Sequence, residues 1–484
     1  MSKKVLIIGA GLAGISAGIY LQKQGFQTEI FEISGQAGGM CIAWERRGYR
    51  FDGCIHWMVG TKAGTPFYNL YREVHALEND TVIYNAESIK SQIDGITYEI
   101  PMTLEPFRNL LLSVSPEDSA KINTLCGEIE KMITTRMPAG APAGFLELID
   151  ILKNSRGFLT LARKYVGISV RDYVEAFQNP ILKAILYYLM PPQYSIFGLI
   201  MMLGTRMSGN AGYPLGGAYD VIDRMEKHYK ELGGTIHFSS KVDKIILKDG
   251  KAAALEAGGQ SYPADAIVAA CDMYDVLKNM LGGRFAHKQL DPLLESAELF
   301  PPLIMVSFGL NKKFNLPFSH NFECPEGIKI DSEGVSGCLN VRSFEFDPSS
   351  APENCSSVMI MLDSTLEYWQ NLRRDTPEDY RIRKEELALE VASALDKRIP
   401  GFKEAVAITD VATPATYIRY ANLYKGSWEG FAPTPSSFKY NIKKKIDGID
   451  GLYLCGQWTT VGGGICSAVR SGKEASKAAA KYLK

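Results

Sequence analysis

Residues 5–8, VLII, form an apolar run without a polar break, preceded by two lysines and followed at once by glycine. A short apolar run bounded by such punctuation predicts a strand buried on both faces. Small and aliphatic residues then dominate as far as Leu21, which predicts a helix, and residues 28–31 predict a second strand delivering Glu32 to its carboxyl end. Strand, helix and strand in that order form a βαβ unit.

The same reading continues down the chain. Residues 82–100 predict short strands turning at Asp94-Gly95, and residues 115 to about 211 predict helices broken by the PAGAPAG linker at 138–144. The segment YPLGGAYD at 213–220 opens a helix running to about Leu232, stopped by Gly233-Gly234. From Thr235 the pattern predicts one strand, a hairpin turning at Asp249-Gly250 and a buried strand over 266–270. Residues 303–310, 357–362 and 405–412 are further strand candidates, separated by a Ser/Pro loop at 347–357 and a charged amphipathic helix at 376–398. The chain closes with a buried strand at 452–455, a glycine triplet at 462–464 and a helix from about Ser467.

Chemistry enters at Gly9, Gly11 and Gly14, which stand at G-x-G-x-x-G spacing between the first strand and its helix. In that context the first glycine allows a tight turn, the second admits a pyrophosphate to the backbone, and the third lets helix and strand pack closely. The helix N-terminus then offers unpaired N–H groups to the phosphates. Glu32 falls where this motif puts a carboxylate that binds ribose hydroxyls. Gly38 and Gly39, just beyond it, resemble the extension found in flavoproteins of the glutathione-reductase-like superfamily, which points to FAD. At the other end, glycine-rich backbone before a helix aims N–H groups at an anion.

Composition narrows the remaining choices. The 484 residues exceed one ordinary core and predict two domains, and a net charge of −1 with dispersed Lys and Arg excludes a nucleic-acid footprint. Nine cysteines, an odd number without a C-x-x-C pair, suggest neither a disulfide framework nor a metal site. The first strand follows MSKK directly, leaving no room for a secretory signal, so a cytoplasmic protein is expected. The most apolar stretch, 181–204, is split by Pro191 and Pro192 into runs too short to span a bilayer. A buried helix pair walling an apolar cavity is the favoured expectation; peripheral contact with one membrane leaflet is the alternative.

Four blocks together, GAGLAGISAG with Glu32 and AGGMC, FDGCIHWMVG, YPLGGAYDVID with GGTIHFSSKVDKI, and GLYLCGQWTTVGGGICSAVRSG, resemble the phytoene desaturase, carotenoid isomerase and retinol saturase family of FAD-dependent oxidoreductases. The resemblance implies an α/β fold in which a Rossmann-like FAD-binding domain, 1–75, 212–285 and 440–484, interleaves with a substrate domain of mixed sheet and helices, 76–211 and 286–439, whose helical apolar region is 115–211. It implies FAD contacts at Gly9, Gly11, Leu12, Ala13, Gly14, Glu32, Gly38, Gly39, Met40, Val242, Gly456, Gly463, Gly464 and Ile465. Val242 is expected to meet the adenine with its backbone. Where many relatives in the wider superfamily carry an acid, this chain has Gln457.

The implied chemistry is desaturation or saturation of carbon–carbon bonds in an apolar, isoprenoid- or lipid-like substrate. A flavin ring, a proton relay and a dry cavity suffice for it. The relay candidates are His56, although a lone histidine is more often a structural hydrogen-bonding residue, and Tyr417 and Tyr420, which the family places on the substrate side. No second G-x-G-x-x-G with a downstream acid appears, so NAD(P)H as electron donor would act without a dedicated domain. A flavin-dependent double-bond isomerase, an amine oxidase and a non-catalytic lipid-binding escort protein on the same fold, like the GDP-dissociation inhibitors, are the alternatives.

Overall fold

The computed structural model describes residues 2–140, 149, 151, 153–285, 290–440 and 442–484. At its centre is a five-stranded parallel sheet in the order Thr235–His237, Gln27–Phe31, Lys4–Ile8, Ala266–Ala269, Leu452–Leu454. Val5, Leu6 and Ile7 are fully buried, as expected of a central parallel strand covered on both faces. The first and last strands of the chain thus share one sheet, and their carboxyl ends open on the same side, where α/β sheets bind ligands.

Two helices cover one face of this sheet, Leu12–Gln22 and Ile465–Leu483. They approach until backbone meets backbone: a Cβ at Gly472 would lie 2.3 Å from the Ala13 carbonyl oxygen. Ser16 Oγ donates to the Val469 carbonyl at 2.9 Å across the same contact. A third helix, Gly217–Glu231, brings Tyr229 against Gly18, where a Cβ would come within 2.6 Å of the ring.

The second layer is a seven-stranded sheet in the order Val406–Ala412, Leu303–Leu310, Ser356–Asp363, Val335–Ser343, Ser319–Lys329, Ser88–Ile93, Ile96–Pro101. Its neighbours are antiparallel except where His320 and Asn321 pair in parallel with Lys90 and Ser91. Alternation divides it into two faces. Ile304, Val306, Leu339, Val341 and Ile360 pack with Leu387, Val391 and Leu395 of the helix Pro377–Asp396. The opposite face looks back toward the parallel sheet.

Several predicted elements need correction. The strand expected from Thr235 is two: the chain leaves the parallel sheet after His237, turns through Ser239 at φ +52°, and re-enters a separate three-stranded antiparallel sheet as Val242–Lys248. Ser319–Lys329 and Val335–Ser343 were not predicted, because Pro325 and Gly327 interrupt the first and a register shift between Glu323 and Ile328 absorbs them. The expected helical region is preceded by another helix, Leu104–Val114. Residues 141–144 of the predicted linker lie outside the described residues. Pro191 and Pro192 do separate two helices, Pro180–Leu189 and Ile196–Met207. No helix among the described residues is long and apolar enough to cross a membrane.

Candidate functional site

Beyond Ile8 the backbone turns through Gly9 at φ +95°, where a Cβ would sit 2.8 Å from the Ala270 carbonyl oxygen. Gly14 meets this turn from the helix, a Cβ there falling 1.9 Å from the Gly9 carbonyl oxygen. Its task is close packing, and it is the one residue of the predicted cofactor set that lines no cavity. Gly11 is not crowded in this way: it is bridged to Gly38, a Cβ on it would lie 3.7 Å from the Gly38 carbonyl oxygen, and a Cβ on Gly39 would be 3.2 Å from the Gly11 Cα. No side chain caps the helix at Gly11, leaving its leading N–H groups for a ligand.

Glu32 closes the loop. Its carboxylate accepts from the Ala10 N–H at 2.7 Å and the Ser34 N–H at 2.8 Å. Burial pushes its carboxyl above the usual range while these N–H groups pull it back. The acid therefore shapes the glycine turn and also lines the cavity beside Val242.

At the far end, Leu452–Leu454 leads into Gly456, whose N–H donates to Ser471 Oγ at 2.9 Å. Gly462, Gly463 and Gly464 all have positive φ. The helix Ile465–Leu483 follows, again without a side-chain cap, so Ile465, Cys466 and Ser467 present its N-terminus to the same cavity. Two uncapped helix N-termini, one from each end of the chain, converge on one space.

That space has a volume of about 780 Å³. Met137, Phe158, Leu189, Phe197, Met201 and Met202 wall it from the helical region. Leu303, Asn340, Arg342, Met361 and Asp363 wall it from the large sheet, all on one face by register. The wall is thus mostly apolar with a few polar groups, as ligand cavities are.

Asp52 anchors the segment that carries His56. Its Oδ1 accepts from the N–H groups of Cys54 at 2.9 Å and Ile55 at 2.8 Å, and its Oδ2 accepts from the Ala218 N–H at 2.8 Å and the Tyr213 hydroxyl at 3.1 Å. One buried carboxylate thereby joins the FDGCIHW block to the helix opened by YPLGG. His56 lines the cavity with Nε2 unpartnered among the described residues. Burial and the charge of Arg342 bring its pKa down to about 3, so the imidazole is neutral.

Tyr417 and Tyr420 line no part of the cavity. Tyr417 is buried with its hydroxyl unpartnered among the described residues; Tyr420 is 50% exposed and its ring lies under the Arg419 guanidinium. The helix carrying both, Pro414–Ala421, reaches the cavity only at its end, through Ala421, Asn422 and Leu423.

Sequence reasoning missed Glu429, which follows them in SWEG. It lines the cavity against the glycine triplet, its Oε1 3.5 Å from where a Cβ on Gly464 would stand. Among the described residues it has no hydrogen bond or ion pair, and desolvation pushes its carboxyl up to about 8. Only its place between Trp428 and Gly430 could have flagged it.

The residues present fit FAD. The glycine cradle leaves Gly11, Gly38 and Gly39 facing the cavity as bare backbone, and the indole N–H groups of Trp428 and Trp458, both cavity-lining, are buried without partners among the described residues. A bound ligand would supply acceptors for such groups.

Comparison with known proteins gives the same answer. The profile of the family "Flavin containing amine oxidoreductase" matches residues 12–480. The chain is similar to the lycopene-forming phytoene desaturase of Pseudescherichia vulneris, 23% identical over 97% of this chain and 98% of that one. It is 22% identical to the chloroplastic prolycopene isomerase of Arabidopsis thaliana over 96% of this chain and 81% of that one. With the all-trans-retinol 13,14-reductase of Danio rerio it shares 22% identity over 93% and 82%. Among solved structures, an oxidoreductase from Methanosarcina mazei superposes with a TM-score of 0.65 at 18% identity, covering 97% of this chain and 100% of the other. This chain belongs to the flavin-containing amine oxidoreductase family and is an FAD-dependent oxidoreductase.

Proposed function

We propose that the protein adds hydrogen to, or removes it from, a carbon–carbon bond of an apolar, isoprenoid-like small molecule. The observation that carries this reading is the continuity of one cavity from the glycine cradle to a wall of Met, Leu and Phe side chains. The activities named for the phytoene desaturase, 1-hydroxycarotenoid 3,4-desaturase and retinol reductase relatives support it.

In this reading Gly9, Gly11, Leu12 and Ala13 hold the diphosphate, with Gly14 packing behind them, and Glu32 takes the ribose. Gly38, Gly39 and Met40 border the diphosphate and Val242 the adenine. Gly456, Gly463, Gly464 and Ile465 flank the ring. FAD, when bound, supplies hydride transfer. The chain's own residues exclude water and manage the proton. Glu429 is the proton carrier, because it is uncommitted, lines the cavity and is protonated near neutral pH. His56, held neutral, contributes a hydrogen-bonding edge. Residues 181–204 leave only Pro191 and Gln193 exposed, which supports a cavity wall over a leaflet-dipping surface.

Anaerobic stopped-flow absorbance tests the function. Bleaching of the flavin by a polyene lipid marks desaturation. Bleaching by NADH or NADPH, followed by reoxidation with a polyene, marks saturation with a nicotinamide entering the same cavity. Geometric isomerisation by reduced enzyme without net bleaching marks the activity named for the prolycopene isomerase relative. Response to amines alone would overturn the proposal.

A further inference from the structure

We infer that the substrate carries a carboxylate at one end, gripped by Arg342 in the cavity wall, so that the natural ligand is an apolar acid rather than a neutral hydrocarbon. The inference rests on the cavity being the substrate site and adds the chemistry of the substrate's head.

Arg342 lies on the strand Val335–Ser343, paired with Ser319 on one side and Met359 on the other. Register puts it on the cavity face with Asn340 and Met361. Its one hydrogen-bond partner among the described residues is neutral, the hydroxyl of Ser319, and no carboxylate pairs with it. The other guanidinium that acts on it, Arg206, is of the same sign. Burial and Arg206 together bring its pKa down to about 10, so it stays charged at neutral pH. Arg342 is only partly exposed and faces a mostly apolar cavity, and a desolvated cation without a counter-ion is costly to keep.

The acids that line the cavity do not supply that counter-ion. Asp272 accepts the N–H groups of Tyr274, Asp275 and Tyr424, Asp275 pairs with Asn279, and Glu32 is engaged in the glycine turn. Asp363 is four residues along its strand from Met359, the Arg342 partner, which separates them by about 13 Å. Glu429 forms no ion pair among the described residues and sits at the glycine triplet.

The missing anion therefore fits best as part of the ligand. A planar guanidinium matches a carboxylate through two parallel hydrogen bonds. His56, close enough for the Arg342 charge to depress its pKa, brings its unpartnered Nε2 to the same neighbourhood, and the Asn340 amide lies two residues away on the same face. Of the other cationic side chains that line the cavity, Arg470 pairs with Glu474 on the C-terminal helix and Lys241 adjoins Val242 in sequence, so among the described residues Arg342 is the one cation of the sheet wall. One guanidinium suits a monoanion; a diphosphate would call for more positive charge there.

The test uses the FAD-loaded protein with cis-parinaric acid and its methyl ester, two fluorescent polyenes that differ only at the head group, titrated by fluorescence without turnover. The acid is expected to bind at least about 10-fold more tightly than the ester, the scale of one charge-assisted hydrogen bond. Arg342→Met is expected to abolish that preference while leaving ester affinity unchanged. Should Arg342→Met lose its flavin or its native circular dichroism, Arg342→Lys takes its place, and a reduced preference is expected because an ammonium cannot form the paired contact. Equal affinity of acid and ester in the wild type, or an undiminished preference in the folded variant, overturns the inference. Failure of both probes to bind the wild type overturns it together with the proposed substrate site, and so is distinguishable from equal binding.

Discussion

Glu429 and Gly463 are packed so closely that a Cβ on the glycine would fall 2.5 Å from the glutamate Cγ. The carboxyl is thus set against the backbone that leads into the C-terminal helix, with its pKa at about 8. Below that pH it holds a proton to give, and above it the carboxylate can accept one. Turnover in the saturating direction is expected to fall as pH rises through about 8, and turnover in the desaturating direction to rise. Glu429→Gln should remove this titration and slow turnover by about 10²- to 10⁴-fold, with flavin content unchanged. A pH–rate profile of both proteins checks it.

The same group makes a stability prediction with a definite sign. Its folded pKa exceeds the ordinary 4.5, so the folded state holds the proton that the unfolded chain has lost between these values. Wild-type stability attributable to Glu429 should decline from about pH 4.5 to about pH 8 and then level off. Denaturant titrations across that range should show this slope, and Glu429→Gln should lack it.

Replacement of Glu32 by Ala removes the acceptor of two backbone N–H groups, Ala10 and Ser34. A loss of about 1–3 kcal/mol of folding stability is expected, together with weakened FAD binding. Glu32→Gln keeps one acceptor oxygen and should fall between. Flavin fluorescence on titrating FAD into apoprotein, alongside chemical denaturation, separates the two effects.

Asp52→Asn should be more damaging than its small change of shape suggests. The amide retains one oxygen but turns an N–H₂ group toward either the Cys54 and Ile55 N–H groups or that of Ala218. About 1–3 kcal/mol is expected to be lost. Limited proteolysis should show cleavage near His56 that the wild type resists.

Much of this arrangement was legible in the sequence, and for identifiable reasons. The first βαβ unit could be read because Gly9 and Gly14 answer local steric demands, a Cβ at either falling under 3 Å from backbone, while Gly11 leaves bare backbone at the cavity. The same holds for Asp94-Gly95 and Asp249-Gly250, whose positive φ values are those of tight hairpins. What escaped were properties that arise only when distant segments meet. Asp52 reads as an ordinary strand-end acid until Ala218 is brought to it. Tyr417 and Tyr420 share a helix, and only packing decides that neither reaches the cavity. Arg342 sits in a strand hidden by the proline and glycine of its hairpin partner, so its face could not be assigned.

Gly472→Ala tests the close approach of the two helices. The added methyl would meet the Ala13 carbonyl oxygen at 2.3 Å, backbone that cannot swing away like a side chain. A loss of about 1–3 kcal/mol is expected from the overpacking, with reduced flavin content because Ala13 lines the cavity. Denaturant midpoints and the ratio of visible to ultraviolet absorbance report both.

The pairing of Leu452–Leu454 with Ala266–Ala269 has a consequence for biosynthesis. The strand beside the amino-terminal one waits for a partner made nearly two hundred residues later. During translation the nucleotide cradle therefore stands half built, with an open flank, until the final helix leaves the ribosome. Cofactor capture thus waits until residues 452–483 have been made.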